Sequence, residues 1–200
     1  MNRTADVVIV GAGVIGSATA FELAKRGYKT LNIDKLPASG YGSTSNSCAI
    51  VRAHYSTWDG VAMAYEGFFY WDDWNKYLEV EDERGMAKYM KTGSIMFMLK
   101  GADHSKKSLN LFKAIGVEHE IWDLETLKKK MPIYSHDSYN GTSRPDEDDS
   151  FFDKSGDQIE GAVWTPGSGY VSDPQLATHN LQVATEAKGG RFLFDAEITE

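Results

Sequence analysis

Gly11, Gly13 and Gly16 stand in the run GAGVIG, directly behind the β-branched stretch VVIV, and Asp34 follows further on. Each glycine has a chemical reason. The first permits a tight turn off a strand, the second lets backbone approach a diphosphate, and the third lets helix and strand pack closely. The diphosphate then faces the first helical turn, here Val14 and Ile15, where unpaired amides and the helix dipole favour negative charge. An acid about 20 residues on accepts hydrogen bonds from both ribose hydroxyls of an adenosine and repels a 2′-phosphate. This combination specifies an adenine dinucleotide. It does not choose between NAD and FAD.

A second candidate is Arg52, placed behind the apolar run Ala49–Ile50–Val51 in the stretch STSNSCAIVRAHYS. A guanidinium offers two parallel N–H donors that match a carboxylate or phosphate. The structural alternative is an arginine paired within the core or extending its head to water. Other charged features carry less. The Lys128–Lys130 triplet reads as a solvated helix face. The acidic residues of Asp146–Asp149 lack a calcium-loop spacing and read as a solvated loop. Asn140–Gly141–Thr142 fits a glycosylation acceptor that matters only in a secreted protein. Cys48 reads as a small buried apolar residue.

The elements that must hold these residues follow from periodicity. Residues 6–10 form a short strand and residues 14–26 a helix stopped by Gly27. Residues 29–34 form a second strand ending at Asp34. Strand, turn, helix and strand in this order begin a parallel α/β sheet. Residues 47–55 are expected as a short helix capped by Asn46. Residues 61–78 are expected as one long helix with Ala64, Phe68, Trp71 and Leu78 inward. A strand from Thr92, a helix from Lys107 ended by Gly116, and a helix capped by Asp123 follow. Residues 135–160 are polar and acidic, and are expected as a surface excursion. Residues 161–171 read as two extended pieces around a turn. A helix over 173–188, capped at Ser172 or Asp173, leads to a last strand from Arg191.

Composition bounds the rest. The 200 residues are 42% hydrophobic and 25% charged, ordinary for a globular protein, with a net charge of −8. That balance argues against a nucleic-acid surface. One cysteine excludes an intrachain disulfide and suits a reducing, cytoplasmic setting. No run approaches about 18 apolar residues, so no membrane span is expected.

Four blocks together carry a resemblance: DVVIVGAGVIGSATAFELAKRGYKTLNIDK, GSTSNSCAIVRAHY, KTGSIMF and GAVWTPGSGYVSDPQLA. The chain resembles the FAD-dependent oxidoreductases of the D-amino acid oxidase superfamily, in the sarcosine oxidase and dimethylglycine dehydrogenase branch. The resemblance implies a Rossmann-like FAD-binding lobe in residues 1–86 and 166–200. It implies a mixed α+β substrate lobe in residues 87–165. The implied reaction is oxidation of the C–N bond of a carboxylated secondary or tertiary amine to an imine, by hydride transfer to flavin, with oxygen or another carrier as acceptor. Gly11, Gly13, Val14, Ile15, Gly16 and Asp34 would bind the ADP half. Lys35 would lie by the adenosine, and Gly42, Ser43, Thr44 and Ser45 near the pyrophosphate and flavin. Arg52 would pair with the substrate carboxylate.

Departures from the family pattern sharpen these expectations. Some relatives link flavin through a histidine where this chain has Ser45–Asn46, so noncovalent FAD is expected within this segment. Sarcosine oxidases carry a further arginine at the position of Ala49, which leaves the electron acceptor open. Family chains continue through more sheet, so the remainder of a longer protein is expected. Oxidation of a hydroxy acid or glycerol phosphate, a nicotinamide-dependent dehydrogenase and a silent dinucleotide-binding fragment remain as alternatives.

Overall fold

A computed structural model describes residues 4–101, 103–139 and 144–199 of the chain. Its elements in order are β1 (Val7–Val10), α1 (Val14–Lys25), β2 (Thr30–Ile33), β3 (Ile50–Val51), α2 (Trp58–Asp72) and α3 (Trp74–Leu78). They continue with β4 (Tyr89–Met90), β5 (Ser94–Met98), α4 (His104–Ile115), β6 (Glu120–Asp123), α5 (Leu124–Lys130) and β7 (Asp137–Tyr139). Last come β8 (Lys154–Gln158), β9 (Gly161–Thr165), β10 (Gly169–Val171), α6 (Pro174–Ala187) and β11 (Arg191–Leu193). The expected glycosylation acceptor at 140–142 lies outside the described residues.

The chain divides into two compact units. The first takes the residues up to Val51, Gly67–Met90, and those from Tyr170 on. Its sheet runs β1-β2-β11 with all pairs parallel, Ile9 beside Asn32 and Val10 beside Ile33. Helices α1 and α6 pack together, and Phe21, Ala177, Leu181 and Ala184 meet in the core with Trp74 and Leu78 of α3. Gly27 ends α1 as its sequence position implies. It sits at φ +87 with its amide on the Ala24 carbonyl, and Tyr28 donates to Leu23, the paired bonds of a left-handed helix stop. A small sheet, β3-β10-β4, completes this unit.

The second unit takes Arg52–Glu66 and Lys91–Gly169. Its sheet is antiparallel, β5-β9-β6, with Ser94 opposite Thr165 and Trp122 opposite Ala162. Leu127 of α5 is fully buried beneath this sheet with Trp122, Ile159 and Ala162. Asp123 caps α5 by accepting from the Thr126 amide at 2.8 Å. The Lys128–Lys130 triplet forms the last turn of α5. Lys130 pairs with Glu120 at 3.2 Å and lies over the Trp122 ring. Within residues 135–160, β7 and β8 pair as an antiparallel hairpin, and every residue of β8 is exposed.

Two expected elements differ. Residues 47–55 are not helical: Ala49 takes φ +52, and Ile50–Val51 form β3 beside β10 instead. β-branched residues favour that extended state once a neighbouring strand offers hydrogen bonds, and Ala49 accepts one from the Val171 amide. Asn46 caps nothing, since its side-chain amide donates to the Gly42 carbonyl. The helix expected over 61–78 breaks at Asp73, which leaves helical geometry with φ −116 and ψ 40. The break brings Trp74 inward, where its indole N–H reaches Asn180 of α6 and its ring stacks on Trp71.

Candidate cofactor site

The glycine run forms the turn between β1 and α1. Gly11 adopts φ +102, a region costly for a side chain, and its amide donates to the Ile33 carbonyl at 2.8 Å. A Cβ at Gly16 would collide with the Gly11 carbonyl oxygen, so the third glycine allows strand and helix to touch. A Cβ at Gly13 would crowd the Thr44 hydroxyl at 3.2 Å. Gly13 itself occupies the N-cap without a side chain to satisfy the helix. Thr44 does part of that task, accepting from the Val14 amide at 3.1 Å. The Ile15 and Gly16 amides have no carbonyl within the helix to donate to, and they open onto the groove beside the loop. That groove holds about 530 Å³ and is lined by the glycine run together with Ser43, Thr44 and Ser47.

Asn32 is the unexpected member. It is fully buried on β2 and donates from one amide nitrogen to the carbonyls of Gly11, at 3.2 Å, and Gly16, at 3.1 Å. It therefore clamps both ends of the turn. The signal in the sequence is a lone amide between Leu31 and Ile33 of the second strand.

Asp34 follows β2 directly and holds two backbone amides, Ala12 at 2.6 Å and Leu36 at 2.9 Å. A carboxylate has about four acceptor positions, so two remain for hydroxyl donors. Asp34 and Lys35 line a cavity of about 270 Å³ with Gly11 and, from the end of the chain, Ala196–Ile198. Glu197 adds a second carboxylate there, a contribution that sequence reading missed. A third cavity of about 260 Å³ is chiefly apolar, bounded by Val14, Ala49, Val51, Trp71 and Val171. Gly42 and Ser45 form the intervening turn, with the Ser45 hydroxyl donating to the Gly42 carbonyl at 3.0 Å. Cys48 is exposed rather than buried, because the turn before β3 directs it to solvent.

Arg52 lies in the second unit and is exposed. Its Nη1 donates to the His54 carbonyl at 3.0 Å, and its guanidinium stands 5.5 Å from the Tyr55 ring centre. His54 was not anticipated. Burial, aided by the Arg52 charge, lowers its pKa to about 4, so the ring is neutral near pH 7. Among the described residues, no group of three or more His, Cys, Asp or Glu is placed to hold a metal ion. No helix among them is long and apolar enough to cross a membrane.

The family model for FAD dependent oxidoreductases matches residues 6–200. The chain belongs to that family. Among curated proteins this FAD dependent oxidoreductase chain is 31% identical over 147 residues to a putative sarcosine oxidase of Caenorhabditis elegans, covering 72% of the chain and 36% of that relative. It is 25% identical over 200 residues to a monomeric sarcosine oxidase of Streptomyces avermitilis, covering 100% of the chain and 45% of that protein. Among solved structures, L-proline dehydrogenase from P. horikoshii superposes with a TM-score of 0.76 at 21% identity, covering 100% of this chain and 46% of that one. Glycine oxidase from Geobacillus kaustophilus superposes at 0.70 and 22% identity, covering 97% and 47%. The chain thus spans less than half the length of these relatives. The family cofactor, FAD, suits the residues found: a glycine turn, open helix amides for a diphosphate, and Asp34 with free acceptor positions for a ribose.

Proposed function

We propose that this chain supplies the FAD-binding part of an oxidoreductase that oxidises the C–N bond of a carboxylated secondary or tertiary amine, such as an N-methyl amino acid. In this reading the first unit is the cofactor lobe and the second is part of the substrate lobe. The observation that carries the cofactor assignment is the glycine turn clamped to the open end of α1. The amine class is supported by the sarcosine oxidases among the relatives.

FAD, when bound, would supply the redox chemistry, as the hydride acceptor, with oxygen or another carrier as the final electron acceptor. The residues of this chain bind and orient. The amides of Ile15 and Gly16, at the end of the Gly11–Gly13 turn, hold the diphosphate, with Val14 fixed by Thr44. Asp34 and Lys35 hold the adenosine end. Gly42, Ser43 and Ser45 shape the turn that follows the diphosphate. No histidine occupies positions 45–46, so FAD is held noncovalently within this segment. Arg52 uses one of its donors on the His54 carbonyl and keeps others for a substrate carboxylate. Such a pairing orients the reacting carbon, which is worth far more than its binding energy alone.

The test is optical. Purified full-length protein should show a flavin spectrum that is bleached under anaerobic conditions by sarcosine or another N-alkyl amino acid. Bleaching by 2-hydroxy acids or glycerol phosphate, with none by amines, would overturn the amine assignment and leave the cofactor assignment standing.

A further inference from the structure

Residues 52–55 have no regular secondary structure, yet they are held from three sides within the second unit. From β9, Thr165 Oγ1 lies 2.9 Å from His54 Nε2. From β5, Ser94 Oγ lies 3.4 Å from the same nitrogen and 2.8 Å from Thr165 Oγ1. From α4, Phe112 packs 5.6 Å from the imidazole, and the buried Ser108 hydroxyl donates to the Tyr55 carbonyl at 3.1 Å. Ser168 closes the cluster, 3.0 Å from Thr165. Thr165 and Ser168 are fully buried, and Ala53 between Arg52 and His54 is fully buried too.

Within that pinned segment Arg52 is exposed, and its guanidinium donates to the backbone of His54 itself. The imidazole thus fixes the carbonyl that in turn fixes the guanidinium. A half-buried imidazole satisfied by hydroxyls needs no further role, but a purely structural one leaves Arg52 indifferent to it. The bond from Arg52 to the His54 carbonyl makes the two dependent.

We propose that His54 is a positioning residue: held by Thr165 and Ser94, it sets the direction of the Arg52 guanidinium and thereby the affinity for a carboxylate. This rests on the reading of Arg52 as the carboxylate-binding group. Hydroxyl partners suit the task, because each can donate or accept and so satisfies a neutral ring in either tautomer. A shift of about 1 Å in an orienting group is enough to cost up to about a hundredfold in rate.

The test uses full-length, FAD-loaded protein and two probes: acetate, read by perturbation of the flavin spectrum, and sarcosine, read as KM and kcat. His54→Phe keeps a ring against Phe112 and removes the hydrogen bonds. It should raise the acetate Kd about tenfold and lower the sarcosine kcat/KM by at least as much, with flavin content changed less than about threefold. His54→Gln, which reaches the same hydroxyls, should restore most of the affinity. Thr165→Val is near-isosteric and should reproduce the Phe effect if His54→Phe fails to fold. Arg52→Ala with and without His54→Phe completes a cycle, and the double variant should be no worse than Arg52→Ala alone. If Arg52→Ala weakens acetate while both His54→Phe and Thr165→Val bind it normally, the positioning role is wrong and the Arg52 reading stands. If Arg52→Ala binds acetate and sarcosine normally, both fall.

Discussion

The Asp34 carboxylate holds the amide of Ala12 at 2.6 Å, joining the end of the second parallel strand to the middle of the glycine turn. The acid is therefore structural before any ligand arrives. Asp34→Ala should lower both thermal stability and FAD occupancy, because the Ala12 and Leu36 amides lose a charged acceptor. Hydrogen bonds to charged groups are worth about 1.5–3 kcal/mol each. Asp34→Asn keeps one acceptor oxygen and should fall between. Thermal denaturation with and without added FAD checks this, and an unchanged apo-protein midpoint would remove the structural role.

Two glycines in helices should respond oppositely to alanine. Gly16→Ala drives a methyl group into the Gly11 carbonyl and should cost about 3 kcal/mol together with the bound flavin. Gly67→Ala, inside α2 with open space around the new methyl group, should gain roughly 0.5–1 kcal/mol from helix propensity. Chemical denaturation of the two variants beside the parent decides it.

His54 gives stability a pH dependence of defined sign. Its folded pKa of about 4 lies below the ordinary 6.5, so the unfolded chain binds a proton more readily. The contribution is fully present above pH 6.5 and is lost as pH falls from there toward 4. Solvent screening of the partly exposed ring reduces it to about 1–2 kcal/mol. Melting temperatures between these limits should fall less steeply in His54→Gln than in the parent. Parallel curves would count against this assignment.

Acid precipitation of the flavin-loaded protein should leave the yellow colour in the supernatant. The reason is local: Ser45 and Asn46 carry no imidazole nitrogen for a flavin link, and both side chains donate to the Gly42 carbonyl. Colour retained by a proteolytic peptide from this segment would be the contrary result.

How much of this was written in the chain depends on range. The glycines at 11, 13 and 16 report by residue type alone the φ and the close approach that their turn needs. The stop at Gly27 and the caps Asp123 and Asp173 are local as well: each depends on φ, ψ and hydrogen bonds within about six residues, which residue types report directly. The parallel order and the place of Asp34 at a strand end follow from the same local rules. Other features depend on what another part of the chain brings alongside. Ile50–Val51 became a strand because β10 lay beside it, and the long helix broke at Asp73 so that Trp74 could reach Asn180. Asn32 clamps the glycine turn through bonds spanning 21 and 16 residues, and His54 meets Thr165 across 111. Such contacts are set by strand register and packing. A one-dimensional pattern carries the propensity of each residue, whereas only the folded chain decides which distant polar groups must satisfy one another once water is excluded.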